Sequence, residues 1–221
     1  MLIIVLIMYV KPLFYLLTPV LYSFERVASP ASDFYLLNNL LLLFHVAFSF
    51  VALSLGPWLF NTSLRARRPD IHKKIGKFYI TGCMAGAVTV FPLALSNATG
   101  TVAHLGFGVM SVVWFTLAYL AYGAAVNRDF IAHRRWAVRS FAVTFAFVHV
   151  GLSYKLFIPS GTFNAQGMQA LQSMVSWLGN LLFAEIYLMS TRLNGQFKGF
   201  TRDWRLFYNP KDKVYLKVNK P

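Results

Sequence analysis

Five histidines, His45, His72, His104, His133 and His149, are the side chains in this chain best suited to chemistry. Imidazole ligates metals and haem iron, and it exchanges a proton near neutral pH. The sequence contains no HExxH, Walker loop, GxSxG or GxGxxG, which removes the common hydrolase and nucleotide-site signatures. Cys83 is the single cysteine, so an internal disulfide and a cysteine-rich metal site are excluded; it reads as a small packing residue. Lys11 and Glu185 are the base and acid that fall well inside apolar runs, where an ionisable group is expensive and marks function by default.

Helical steps of three and four from four of the histidines pass through small residues. His45 leads to Ser49, Ala52 and Gly56; His72 to Gly76, Tyr79, Cys83 and Gly86. His104 leads to Gly108, Ser111, Phe115 and Ala118; His133 to Ala137, Ser140, Thr144 and Gly151. Such seams serve close packing between helices. They also leave room for a flat macrocycle held by histidines from two helices.

The elements that position these residues are spans of a membrane. The chain has 221 residues, 57% hydrophobic and 13% charged, with mean hydropathy +0.54. A soluble domain carries about 25% charged residues, so lipid is the solvent that accepts this surface. A bilayer core takes about 20 apolar residues per helix. Six runs qualify: Leu2–Tyr22 (interrupted by Lys11 and Pro12), Asn38–Phe60, Phe78–Leu95, Leu105–Val126, Ser140–Phe157 and Leu171–Ser190. The expected fold is therefore all-α, an integral membrane bundle of six transmembrane helices. Residues 1–190 form one domain and 191–221 a basic, aromatic cytoplasmic tail. The start Met1-Leu2-Ile3-Ile4 lacks a basic n-region and reads as an uncleaved helix.

Charge sets the orientation. Of 21 Lys and Arg, six lie between Arg65 and Lys77, four between Arg128 and Arg139, and eight from Arg192 onward. With six spans and the N-terminus inside, all three clusters stay on the untranslocated side, with the C-terminus also inside. The net charge of +14 is thus a lipid-facing feature and not a sign of nucleic acid. The expected site is the bacterial inner (plasma) membrane, multi-pass, with the mitochondrial inner membrane as the alternative.

On this topology His72 and His133 stand at matching depth at the inner ends of the third and fifth spans. They are the candidate axial ligands of haem b, with Lys73, Lys77, Arg135 and Arg139 as cations for its propionates. His45 and His104, placed at similar depth near the outer side, form a second candidate pair. His149 lies about 160° around the fifth helix from His133, taking ~100° per residue, and hydrogen-bonds a neighbouring helix instead. Lys11 and Glu185 either bridge the first and sixth spans or mark a proton or quinone site.

Three segments resemble the bacterial membrane proteins grouped as domain of unknown function 2306. They are HVAFSFVALSLGPWLF (45–60), RARRPDIHKKIGKFY (65–79) and NRDFIAHRRWAVRSFAVT (127–144), within a resemblance covering roughly Leu40 to Tyr154. Its motifs are a His-headed helix ending Gly-Pro, then His-x-x-x-Gly-x-x-Tyr, then His-Arg-x-Trp-x-x-Arg. They fall on His45, Gly56, Pro57, His72, Gly76, Tyr79, His133, Trp136 and Arg139, and leave His104 and His149 outside. The resemblance implies a membrane class and no established activity. A looser analogy is to ascorbate-reducible two-haem b-type cytochromes, whose histidines on four consecutive helices pair second with fourth and third with fifth.

The functional expectation is a membrane electron-transfer subunit binding haem b, linked to quinol and respiratory chemistry, with other membrane subunits as partners. The alternative is a non-catalytic structural or assembly subunit of a larger membrane complex. A small transporter coupled through Lys11 and Glu185 is disfavoured by the lack of repeated halves with broken helices.

Overall fold

Large apolar side chains lie on the outside of this molecule and small ones fill its interior. The computed structural model describes residues 33–96, 100–146, 148 and 165–193. They form six helices and, among the described residues, no strand: α1 Asp33–Leu59, α2 Thr62–Arg67, α3 Pro69–Ser96, α4 Thr101–Val126, α5 Phe130–Thr144 and α6 Ala165–Leu193. Phe183 is 74% exposed, Phe78 66% and Val88 60%, whereas Ala52, Cys83, Ala118, Ala121, Ser140 and Ser176 are fully buried. In water each such outward phenylalanine would forgo about 1.5–3 kcal/mol of burial. In hydrocarbon the arrangement forfeits nothing, since lipid tails are as apolar as the side chains they touch.

Three helices have the length and apolarity to cross a membrane, over Leu37–Leu59, Pro69–Ser96 and Thr101–Val126. These bear out the second, third and fourth expected spans. α6 has 29 residues but carries Gln172, Asn180 and Glu185. The described part of the fifth element, α5, has 15 residues. The first expected span with Lys11, the residue His149, and the tail beyond Leu193 lie outside the described residues.

Helix starts differ from expectation at one end of the bundle. α3 begins at Pro69 and not Phe78, and α5 at Phe130 and not Ser140. The apolar criterion stopped at the first charges, whereas the helices continue past them. Lys73, Lys74 and Lys77 remain exposed there, as cations on long stems can be at a headgroup boundary. Local signals fix these starts. Pro69 occupies the first position of α3, where its missing N–H is no loss, and Asp70 follows in the first turn. The Asp129 carboxylate caps α5 by accepting from the Ala132 N–H at 3.0 Å. α6 runs on to Leu193, the last described residue.

α1 packs on α3, α3 on α4, and α4 on both α5 and α6, which also touch each other. The short α2 rests on the ends of α1 and α3. Close approach rests on small residues. A Cβ added to Gly82 would stand 3.0 Å from the Phe48 carbonyl oxygen and 3.3 Å from the Ala52 nitrogen, both backbone atoms of α1. On the next turn a Cβ at Gly86 would meet the Trp114 ring of α4 at 2.9 Å. The basic residues from Arg65 to Lys77 and from Arg128 to Arg139 lie at the same end of this bundle, hereafter the basic end.

Replacing Gly82 by Val should push α1 from α3, because backbone cannot yield as a flexible side chain does. The expected cost is about 1–3 kcal/mol, read as a lower thermal midpoint in detergent. An unchanged midpoint would show that the two helices do not touch at this level.

Candidate functional site

α3 and α5 both start at the basic end, run in the same direction, and meet through side chains across the bundle. The Tyr79 hydroxyl lies 3.0 Å from Ser140 Oγ, and the Cys83 sulfur 3.6 Å from Thr144 Oγ1; each pair is separated by 61 residues. His72 and His133 are separated by the same 61 residues. Seven residues make two helical turns, so each histidine shares a face with the partner of that contact on its own helix. The register therefore sets His72 opposite His133, and His72 lies within electrostatic reach of His133 and of Arg65.

Deeper in the bundle one hydroxyl joins three helices. Thr144 Oγ1 accepts from the Trp114 indole N–H of α4 at 2.9 Å and donates to the Ser140 carbonyl at 2.9 Å. The Tyr79 hydroxyl of α3 stands 3.3 Å from it. A buried indole or phenol needs such a partner, and in a bilayer water does not supply one. Trp114 is a site residue the sequence reading passed over. The signal was there: an indole N–H within a span has to find an acceptor.

The histidine pair can be tested against a haem iron. His133 Nδ1 is 2.7 Å from the Ala121 carbonyl oxygen, which only accepts, so Nδ1 carries the proton and Nε2 keeps the lone pair that a ligand nitrogen needs. A backbone carbonyl fixing the far nitrogen is the usual support of a ligand imidazole. His72 is half-buried, and its Nδ1 is buried with no hydrogen-bond partner among the described residues. Between this level and Tyr79 the faces carry Ile75 and Gly76 on α3 and Trp136 and Ala137 on α5, and a Cβ at Gly76 would meet nothing nearer than Leu59 at 3.8 Å. Tyr79 then closes the gap against Ser140. The residues thus fit two axial ligands at the basic end and limit how far a macrocycle extends inward. Among the described residues no group of three or more His, Cys, Asp or Glu could hold a bare metal ion.

The proposed propionate cations divide. Lys73 and Lys77 are exposed on the first two turns of α3, and Arg135 is half-buried on α5. Arg139 is committed elsewhere: it forks Glu185 of α6, with Nε to Oε1 at 2.5 Å and the second nitrogen to Oε2 at 2.8 Å. Its guanidinium also lies 4.9 Å from the Trp136 ring centroid. Glu185 accordingly has a basic partner on α5, while Lys11 lies outside the described residues. The register places Arg139 level with Phe78, one residue past Lys77. The pair therefore lies toward the basic end of the bundle.

His45 and His104 are not brought together. His45 donates through Nδ1 to the Gly86 carbonyl at 2.9 Å and stands edge-on to Trp114, ring centroids 6.3 Å apart. His104 precedes Trp114 by ten residues on α4, roughly 15 Å along the axis at 1.5 Å per residue. The similar depth expected for these two came from counting along runs whose helices begin earlier than the apolar criterion said. His45 instead pins α1 to α3.

Outward phenylalanines, a small-residue interior and three long apolar helices define an integral membrane helical bundle. The chain belongs to the family described as predicted membrane protein (DUF2306), whose model matches residues 42–188. The match takes in all three quoted motif segments. No curated protein and no solved structure matches the chain.

Thr144→Val keeps the shape and removes the hydroxyl, leaving the Trp114 N–H without its acceptor. A loss of about 1–2 kcal/mol is expected, and Thr144→Ser should restore most of it. Equal stability of the Val and Ser variants would mean that the hydroxyl joins nothing.

Proposed function

We propose that the protein is a membrane-embedded one-electron carrier that holds haem b between His72 and His133, exchanging its electron with quinol or a partner subunit. The observation behind this reading is the common 61-residue offset, which puts His72 and His133 at the same level of the bundle, one with its Nδ1 held by a carbonyl. Two neutral imidazoles on one iron give a low-spin centre suited to electron transfer rather than oxygen binding. When bound, haem supplies that one-electron chemistry. The protein's part is to orient His133 through Ala121, to bound the site with Tyr79, and to offer Lys73, Lys77 and Arg135 to the propionates. Arg139 keeps α5 on α6 through Glu185, and that ion pair leaves it no charge to offer the propionates.

The proposal places the basic end on the cytoplasmic side of a bacterial inner membrane, in a bundle of six spans with both termini inside. Purified protein prepared with ample haem should show a Soret band and a pyridine haemochrome of the b type. His72→Ala and His133→Ala should each abolish it with the helices still inserted, while His45→Ala should leave it. Wild-type protein without a Soret band rejects the reading.

Orientation is checked separately. In a Cys83→Ser background, a cysteine at Thr101 should react with an impermeant thiol reagent in intact cells, and one at Asn127 only after lysis. The reverse pattern would invert the topology.

A further inference from the structure

We propose that the basic end carries a binding face for anionic phospholipid headgroups, built from α2 with its flanks and from the α4–α5 turn. This goes beyond the haem reading and does not depend on it.

The first observation is that α2 has no buried residue, although it connects two long helices. The Asn61 side chain caps it by accepting from the Leu64 N–H and it rests on the ends of α1 and α3, so its exposed residues face whatever lies beyond the bundle. Its flanks say what. Trp58 and Phe60, at and just after the end of α1, are 52% and 41% exposed. Arg65, Arg67, Arg68, Lys73 and Lys74 follow, with Asp70 the single acid between Asn61 and Lys77. Aromatic rings beside clustered cations, at the rim of an apolar wall, suit a surface that is hydrocarbon on one side and phosphate on the other. Nucleic acid would leave the rings and the wall uncovered. From Phe78 to Asn127 the chain has no Asp, Glu, Lys or Arg, so along α3 and α4 the charge is confined to this rim.

The second observation concerns the α4–α5 turn at the same end. Arg128 has φ 60°, the left-handed conformation that favours glycine, and it is the only described non-glycine residue with positive φ. The turn is closed by the Arg128 N–H on the Ala125 carbonyl at 3.1 Å and the Asp129 N–H on the Ala124 carbonyl at 2.9 Å. Glycine would make both bonds without strain. The side chain is exposed, so an arginine here serves a purpose outside the fold. Its guanidinium presents a planar fork of donors to a phosphodiester. Phe60 and the α5 residue Phe141 have ring centroids 5.4 Å apart, which ties the α1–α2 corner to the helix that this turn begins.

The test uses the full chain, purified in detergent micelles doped with phosphatidylglycerol or phosphatidylcholine and read by native mass spectrometry. Phosphatidylglycerol should be retained preferentially, and excess inorganic phosphate should not displace it. A variant with Arg65, Arg67 and Arg68 changed to Gln should lose retention by roughly fivefold for each arginine removed. Arg128→Gly is the sharper arm: it should raise the thermal midpoint by a few degrees while lowering retention, a combination that a purely structural arginine would not give. Equal retention of the two lipids, displacement by phosphate, or variants that retain phosphatidylglycerol like the wild type would overturn the proposal.

Discussion

Within hydrocarbon, helices gain nothing from hiding apolar surface from one another, so the bundle depends on contacts of another kind. The Thr144 hydroxyl is the chief of them. It accepts the Trp114 N–H, returns its own proton to the Ser140 carbonyl, and stands beside the Tyr79 phenol and the Cys83 thiol. Three helices are thereby held at one level. Slipping α5 by one residue would turn Thr144 away and leave an indole and a phenol unsatisfied in a medium without water. The register that sets His72 opposite His133 is a consequence of that constraint two to three turns away.

Close packing supplies the rest. Small residues let backbones approach until dispersion contacts accumulate along a whole seam. Gly82 against Phe48 and Ala52, and Gly86 against Trp114, join α1, α3 and α4 in this manner. The Gly86 carbonyl also accepts from His45, so the same turn carries steric and polar contacts together. Where the seam reaches the basic end the demand changes. Gly76 has ordinary van der Waals space before it, whereas Gly82 and Gly86 have none to spare.

Much of this was legible in the residues. His72, Gly76, Tyr79, Cys83 and His133, Ala137, Ser140, Thr144 repeat the same steps of four, three and four, and those residues line the two facing helices. Outward faces and span positions followed from hydropathy for α1, α3 and α4, because lipid exposure is written in composition. Partner choice was not legible. Periodicity tells which face of a helix is small or polar, but not which neighbour meets it or at what height. Glu185 illustrates the gap, since nothing local distinguishes Arg139 from Lys11 as its counter-ion. His45 and His104 illustrate the second gap: depth was counted from the edges of apolar runs, and the helices that carry them begin before those edges, at Asp33 and Thr101.

The direction of the helices has an electrical consequence. At the basic end the amino ends of α3 and α5 lie beside the carboxyl ends of α1 and α4, so the helix dipoles, each equivalent to about half a charge, largely cancel there. Asp70 and Asp129, the acids of this rim, sit at the two amino ends and offset them locally. The lysines and arginines around them have no such acids in their own segments. The rim around His72 and His133 is therefore a standing region of positive potential, imposed by its lysine and arginine side chains. Any anionic group delivered there meets a field built before it arrives.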